Sequence, residues 1–181
     1  ILQYAFGLNG HPNIVLDFDK VVHMASTSYP IASNAKIRET IASYPLDANL
    51  MNVVMKPTNP HHGAWHYFVE CDDWVHRLYR LNPLSTENGG IELYTSSQWF
   101  IISRDFAYYL ALAKPGTLVH ALLEYNQHVV IADESFFGSV LRNSPYCGTH
   151  HNWNFLHLQF DRWESDLDSK ERDERKCIMP D

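Results

Sequence analysis

The fold of this 181-residue chain depends on two stretches: Ser-Ser-Gln-Trp-Phe-Ile-Ile-Ser-Arg (residues 96–104) and Ala-Asp-Glu-Ser-Phe-Phe-Gly-Ser-Val-Leu-Arg-Asn-Ser-Pro-Tyr-Cys (residues 132–147). The first stretch predicts a strand over Gln98–Ile102, because that run is apolar and aromatic. Ser103 stands where a helix N-cap belongs, and it predicts a helix over Arg104–Ala113.

Two neighbouring carboxylates open the second stretch, ahead of a short helix. The helix is predicted from an apolar stripe at i, i+1, i+4 and i+5, formed by Phe136, Phe137, Val140 and Leu141. Asp133 is then predicted as the N-cap, and Glu134 lies in the first turn beside the positive end of the helix dipole. Capping is one interpretation of this pair. The other is a carboxylate held rigidly at a helix start, where it accepts a proton from a substrate hydroxyl.

Both stretches resemble glycosyltransferase family 14, which contains the core-2/I-branching N-acetylglucosaminyltransferases and the peptide O-xylosyltransferases. In that family a strand and a helix lead to a (Pro/Ala)-(Asp/Ala)-Glu segment whose glutamate is the catalytic base, and the resemblance gives this role to Glu134. The triplet 97–99 is similar to a family triplet, Ser-Asp-Trp or Ser-Gln-Trp, although xylosyltransferases have Asp in place of Gln98. The resemblance implies substrate-binding roles for Asp133, Ser97, Gln98 and Trp99.

Asp17 and Asp19 invite a metal interpretation, because they follow the apolar run Asn13–Asp17, which predicts a strand. Many nucleotide-sugar transferases hold a divalent cation with two such carboxylates. However, residues 18–30 resemble without a gap the family stretch Trp-Asp-Tyr-Phe-Ile-Asn-Leu-Ser-Gly-x-Asp-Tyr-Pro. That register puts Asp19 before the strand Val21–Met24 rather than at its carboxyl end. Since the family works largely without metal, the resemblance implies surface carboxylates and no metal site.

Loop 25–28 borders the donor pocket in the family, and it departs from the family stretch at Ala25, Ser26 and Ser28. The departures imply altered donor choice or a degenerate site, so a lectin-like, glycan-binding family member is one alternative. A metal-dependent transferase or hydrolase that uses Asp17, Asp19 and Glu134 is another. Glycoside hydrolases need two carboxylates that flank the scissile bond, and adjacent Asp133 and Glu134 diverge on a helix, which disfavours a hydrolase.

Composition narrows the class of protein. The content of 45% hydrophobic and 13% aromatic residues is typical of a globular protein, and the length suits one domain. The formal net charge of -7 argues against a nucleic-acid partner, because phosphate binding needs clustered Lys and Arg. No run of about 18 apolar residues predicts a membrane span. We expect residues 1–181 to be a single partial catalytic domain, truncated at both ends, with any membrane anchor outside it.

Caps and periodicity predict the remaining elements. Helices are expected from the N-cap Asn34 to Ser43, from the N-cap Thr117 to His128, and from Asp72 to Arg80, the last burying Trp74, Val75 and Leu78. Strands are expected at Leu50–Met55 and Asn152–Phe160, and a solvated charged run at Asp161–Lys176. The histidines at 61, 62 and 66 lack the ligand count of a zinc site and predict a polar loop.

Three cysteines, Cys71, Cys147 and Cys177, imply a partner outside the chain or one free thiol. The resemblance puts Cys147 and Cys177 at positions where family members keep disulfide-forming cysteines. A bond between these two is expected, and pairing of Cys177 with a cysteine further downstream is the alternative.

The resemblance implies an α/β fold, a mixed sheet flanked by helices that forms part of a GT-A-type nucleotide-sugar transferase. It further implies an inverting transfer in which Glu134 deprotonates an acceptor hydroxyl. The oxygen then attacks a UDP-sugar, carrying N-acetylglucosamine or xylose, and no cofactor is needed besides this donor. The acceptor is expected to be a glycan or glycoprotein, and the location the lumenal side of the Golgi membrane.

Overall fold

The computed structural model describes residues 1–8, 16–54, 66–80 and 90–157. Its strands in these ranges are β1 (Lys20–His23), β2 (Asn49–Val54), β3 (His66–Cys71), β4 (Trp74–Arg80), β5 (Thr95–Ser103) and β6 (His150–His151). Its helices are α1 (Leu2–Ala5), α2 (Asn34–Ala42), α3 (Arg104–Ala111), α4 (Leu118–Asn126) and α5 (Asp133–Asn143), followed by a 3-10 helix (Pro145–Thr149). A mixed sheet flanked by helices confirms the predicted α/β class.

Strand β5 lies inside the main sheet, whose order is β1-β5-β2-β6. It runs antiparallel to β1 and β2, whereas β2 and the short β6 are parallel. Phe100, Ile101 and Ile102 of β5 are 3%, 4% and 0% exposed. The predicted strand over Gln98–Ile102 is therefore confirmed, and its apolar run is buried because β5 has a neighbour on each side and helices over the sheet.

A bulge interrupts β5 at the triplet 97–99. Met51 of β2 pairs with Phe100, and Val53 pairs with Ser96. Three residues of β5 therefore lie opposite the single residue Asn52. Bulges bend a strand and re-aim its side chains, and they are frequent next to functional sites.

Side-chain caps begin two of the helices that pack on the sheet, as the sequence predicts. Ser103 Oγ accepts from Phe106 N at 3.2 Å, and Thr117 Oγ1 accepts from His120 N at 3.3 Å. The N-cap of α2 is Ser33, one residue before the predicted Asn34, because Ser33 Oγ accepts from Lys36 N at 3.3 Å. A serine directly before the first helical residue holds the N-cap geometry that Asn34, already helical, does not have.

The core lies between β5 and the helices α3, α4 and α5. Its fully buried side chains, each 0% exposed, include Phe106, Leu122, Val140, Leu141 and Ile102. Phe136 and Phe137 pack against this cluster while partly exposed. The predicted apolar stripe of α5 is thus confirmed, and it attaches α5 to the sheet.

The helix predicted over Asp72–Arg80 is wrong, because Trp74–Arg80 form the strand β4. β4 pairs with β3 in an antiparallel hairpin whose two-residue turn is Asp72-Asp73. Trp74, Val75 and Leu78 are 73%, 61% and 55% exposed, whereas burial was predicted. Their spacing matches a helical face, but β-branched and aromatic residues favour a strand. Asp72 adopts φ 56, which a short polar side chain tolerates in a turn.

The strand predicted at Asn152–Phe160 is absent from its described part, residues 152–157. Asparagine side chains bind the sheet there instead: Asn152 Oδ1 accepts from Val53 N at 2.7 Å, and Asn154 Nδ2 donates to Trp99 O at 3.0 Å. These contacts satisfy a backbone N–H of β2 and a backbone carbonyl in the bulge of β5.

Several predictions fall outside the described residues: the strand over residues 13–15, the histidines at 61 and 62, the run Asp161–Lys176 and Cys177. The bond between Cys147 and Cys177 therefore stays a prediction. Cys71 is exposed and Cys147 half-buried, and neither is bonded to another described cysteine. Among the described helices, none combines the length and apolar character needed to cross a membrane.

Candidate active site

Glu134 lies in the first turn of α5, directly after a tight turn at Ile131. Ile131 adopts φ 60, a left-handed conformation that is unusual for a β-branched residue. Its carbonyl accepts from Glu134 N at 3.1 Å, and Ala132 O accepts from Phe136 N at 2.8 Å. Glu134 is partly exposed. The turn therefore fixes the backbone of Glu134 and leaves its side chain within reach of solvent.

The N-cap of α5 is Ala132, and the prediction that Asp133 caps this helix is wrong. The left-handed turn starts the helix one residue earlier, so Asp133 is already helical and its carboxylate cannot bend back to the N-terminal amides. Within the described ranges, neither Asp133 nor Glu134 has a hydrogen-bonded or ion-paired carboxylate. Helix capping thus does not account for this pair of carboxylates.

Small polar side chains attach α5 to the extended segment before β5. Ser139 Oγ accepts from Tyr94 N at 2.8 Å and lies 3.3 Å from Tyr94 O. Asn143 Oδ1 accepts from Glu92 N at 2.9 Å, and Asn143 Nδ2 donates to Glu92 O at 2.7 Å. Side chains of α5 thus occupy the hydrogen-bonding positions of a missing neighbouring strand.

A buried contact joins the first turn of α5 to the end of α4. Ser135 is 1% exposed, and its Oγ lies 3.2 Å from Asn126 Oδ1 and 3.2 Å from Ala132 O. Asn126 Nδ2 in turn donates to Leu122 O at 2.8 Å. Because Ser135 directly follows Glu134, this contact holds the backbone of the candidate base.

The polar side of α5 has a sequence signal of its own. Ser135, Ser139 and Asn143 recur at i, i+4 and i+8, which is the spacing of one helical face. Apolar periodicity predicts only the stripe of Phe136, Phe137, Val140 and Leu141 beside it. This second stripe, of small polar residues, is the pattern that predicts hydrogen bonds from α5 side chains to the backbone of a neighbouring segment.

Aromatic rings connect α5 to the end of β1. Phe137 lies 4.6 Å from Phe100 between ring centroids, and Phe100 lies 5.1 Å from His23. His23 Nδ1 lies 2.7 Å from Gln98 O. Since a carbonyl only accepts, Nδ1 carries the proton of neutral His23 and Nε2 is left as an acceptor. Phe137 follows Glu134 by one helical turn, so this aromatic path runs from the helix start to the bulge.

Hydrogen bonds join the triplet 97–99 to the segment after β6. Ser97 Oγ accepts from Trp99 N at 3.1 Å and lies 3.4 Å from Asn154 Nδ2. Among the described residues, no hydrogen bond joins a triplet side chain to Glu134. The substrate-binding roles of Ser97, Gln98 and Trp99 stay predictions.

Asp17 and Asp19 contact Arg104 instead of lying together at the end of a strand. Asp17 Oδ1 lies 3.3 Å from Arg104 Nη1, and Asp19 O accepts from Arg104 N at 2.9 Å. Asp19 directly precedes β1, as the family register predicts. In the described part of the chain, no three His, Cys, Asp or Glu side chains come together as metal ligands.

An open cleft of about 630 Å³ lies at the other end of α5. Its lining comes from Gly90 and Ile91, from Asn143, and from α4 residues that include His120 and Glu124. Asn143 follows Glu134 by nine residues, or about 14 Å along the helix axis. The cleft is therefore separate from the candidate base.

Comparison with known proteins agrees with this architecture, which is compatible with a GT-A-like glycosyltransferase fold. The chain is 27% identical to mouse Xylosyltransferase 1 over 156 residues, covering 84% of this chain and 15% of the mouse protein. It is 27% identical to Drosophila melanogaster Xylosyltransferase oxt over 145 residues, 78% of this chain and 16% of that protein. Human Xylosyltransferase 1 is 26% identical over 84% of this chain and 15% of its own length.

The chain thus spans about one-sixth of the length of these relatives. The family model described as "Core-2/I-Branching enzyme" matches residues 12–179, which is most of the chain. The match includes both stretches on which the fold depends. The chain belongs to the Core-2/I-branching enzyme family.

Proposed function

We propose that this chain is part of the catalytic domain of an inverting glycosyltransferase, which moves a sugar from a UDP-sugar to a hydroxyl of a glycan or glycoprotein. Family membership supports the reaction class. The observation that carries the assignment is the placement of Glu134, a partly exposed carboxylate on a helix start that is fixed to the central strand. The relatives are named xylosyltransferases, which favours xylose over N-acetylglucosamine as the transferred sugar.

The proposed chemistry is a single displacement. Glu134 takes the proton of the acceptor hydroxyl as the oxygen attacks the anomeric carbon from the face opposite UDP. The bond between that carbon and the diphosphate oxygen breaks, and UDP leaves with the electron pair. The glutamic acid then returns its proton to solvent. Asp133, exposed beside Glu134, is proposed to contact the substrate, as are Ser97, Gln98 and Trp99.

The proposal includes metal-independent transfer and a lumenal location at the Golgi membrane. Arg104 supports metal independence, because its guanidinium lies 3.3 Å from Asp17 Oδ1 and already supplies a positive charge to that carboxylate. A second candidate is a catalytically degenerate, glycan-binding family member. The residues Ala25, Ser26 and Ser28, which differ from the family stretch, favour it.

Glu134→Gln in the full-length protein tests the assignment. The variant should lose about 10²- to 10⁴-fold in transfer rate, the usual contribution of general-base catalysis. Its stability should change by no more than about 0.3–1 kcal/mol, the contribution of a first-turn carboxylate to the helix dipole. Transfer from UDP-xylose, UDP-N-acetylglucosamine and UDP-glucuronic acid is measured with and without excess EDTA.

The matched control is Glu124→Gln, which removes the charge of an exposed helical glutamate in the open cleft at the far end of α5. It should keep the wild-type rate. More than a tenth of the wild-type rate in Glu134→Gln would remove Glu134 from the mechanism. Glycan binding without transfer from any of the three donors would support the degenerate, glycan-binding candidate instead.

A further inference from the structure

Helix α5 lies close to β5 at Gly138. Gly138 N lies 3.2 Å from Ser96 Oγ. A Cβ added to Gly138 would lie 2.5 Å from Ser96 Cβ and 2.7 Å from Ser96 Oγ. Ser96 is 4% exposed and pairs with Val53 across the sheet. No larger residue fits at position 138 unless helix and strand move apart.

The same close approach determines where Glu134 lies. Residues four apart on a helix share one face, so Glu134 projects from the side of α5 that meets β5 at Gly138. The two residues are separated by one turn, about 6 Å along the axis. The distance between α5 and β5 at Gly138 therefore controls the height of the Glu134 carboxylate above the strand.

We propose that Ser96 and Gly138 are positioning residues for the candidate base, because their contact sets the distance of α5 from β5 and with it the place of the Glu134 carboxylate. This inference rests on the proposed function of Glu134. Neither residue touches the reacting atoms. The nearby bonds of Ser139 to Tyr94 and of Asn143 to Glu92 attach the rest of α5 to the segment before β5, so we expect a larger residue at position 138 to displace mainly the start of the helix.

Gly138→Ala should displace the start of α5 by about 1 Å, since non-bonded carbon atoms prefer about 3.5–4.0 Å. A misplacement of about 1 Å in a catalytic group costs about 10²-fold in rate. We therefore expect kcat to fall about 10²-fold in the full-length Gly138→Ala variant, while KM for the UDP-sugar changes by less than about threefold. Rates are divided by the number of folded sites, which is counted by calorimetric titration with UDP, so a loss of folded protein does not imitate the effect.

A reciprocal exchange tests the steric cause. Ser96→Gly combined with Gly138→Ala removes the atoms that the new methyl group would overlap. The kcat of this double variant should be at least about tenfold higher than that of Gly138→Ala alone. Gly148→Ala is the matched control, because an added Cβ there meets nothing within 4 Å. It should keep the wild-type kcat and KM.

The inference is overturned if Gly138→Ala keeps kcat within about threefold of wild type, or if the double variant binds UDP fully but recovers no activity. If Gly138→Ala yields no folded protein, the double variant decides: a folded and active double variant supports the steric coupling, and an unfolded one overturns it. Glu134→Gln is assayed in parallel. Full activity of Glu134→Gln refutes the assignment of Glu134 as the base. If Glu134→Gln loses activity but Gly138→Ala keeps it, only the positioning role of Ser96 and Gly138 is refuted.

Discussion

Ile131 carries backbone strain three residues before the candidate base. Its φ of 60 lies in the left-handed region, which costs an L-residue with a Cβ about 1–2 kcal/mol. The side chain is 57% exposed, so little apolar burial offsets that cost. Strained residues cluster at functional sites because the surrounding structure holds them there. In this chain the strained turn starts α5 at Asp133 and orients Glu134.

Ile131→Asn should therefore raise stability. Asparagine is enriched in the left-handed region, so the substitution should add about 1 kcal/mol to the free energy of unfolding. For a domain of 150–250 residues this corresponds to an increase in Tm of about 2–4 °C. Thermal unfolding monitored by circular dichroism measures it. Ile131→Ala is the control, because alanine keeps the Cβ and should not be stabilising; equal stabilisation by both variants would mean that strain is not the cause.

At the scale of elements, the polar side of α5 replaces a strand. Ser139 is 0% exposed and binds both backbone groups of Tyr94. Ser139→Ala leaves the Tyr94 N–H without this partner, and an unsatisfied buried donor costs about 1–3 kcal/mol. We expect the free energy of unfolding to fall by that amount in urea titration.

Ser43→Ala is the matched control for Ser139→Ala. Ser43 is exposed, and its Oγ donates to Thr40 O at 2.7 Å. Surface substitutions of this kind usually change stability by less than about 0.5 kcal/mol. A loss at Ser139 no larger than that at Ser43 would show that solvent or a neighbouring group replaces the bond to Tyr94.

Several of the element boundaries that the sequence predicts correctly are those at which two local signals agree. The end of β5 and the start of α3 combine an apolar run with the Ser103 cap, and α4 combines a periodic face with the Thr117 cap. The hairpin β3–β4 was missed because Trp74, Val75 and Leu78 match helical spacing while tertiary pairing with β3 decides the strand. Asn154, which bonds Trp99 O, was read as part of a strand, since a side chain that replaces a strand leaves no periodic pattern.

In the candidate site, too, local sequence signals predict some features, whereas others depend on tertiary packing. Glu134 was identified through the family resemblance, and its first-turn position through the apolar stripe. The cap at Asp133 was wrong because the left-handed φ of Ile131, which no propensity rule predicts for a β-branched residue, moved the helix start. The contact between Ser96 and Gly138 joins residues 42 apart in sequence, so it depends on how α5 packs on β5.

At the scale of the whole molecule, the segment that follows α5 and the 3-10 helix returns to the sheet at His150. β6 pairs in parallel with β2, and His150 Nε2 lies 2.8 Å from Met51 O, so the neutral ring carries its proton on Nε2. Burial lowers the pKa of His150 below the usual 6.5, the bond to Met51 O opposes this shift, and the charges of Arg142 and His151 add to it. The folded state therefore favours the neutral ring.

The lowered pKa makes stability depend on pH with a definite sign. Below the ordinary histidine pKa, the unfolded chain binds a proton at residue 150 more readily than the folded chain does. The contribution of His150 to stability is therefore full above about pH 6.5, and it declines as the pH falls from the pKa of the unfolded state to the lower pKa of the folded state. His150→Gln should remove this part of the decline, measured as the urea midpoint at several pH values between 7.5 and 5. His76→Gln, on the exposed hairpin, controls for the loss of an imidazole and should keep the wild-type dependence. Identical pH profiles for wild type and His150→Gln would show that the ring stays hydrated and that β6 is not the part of the sheet that senses protonation.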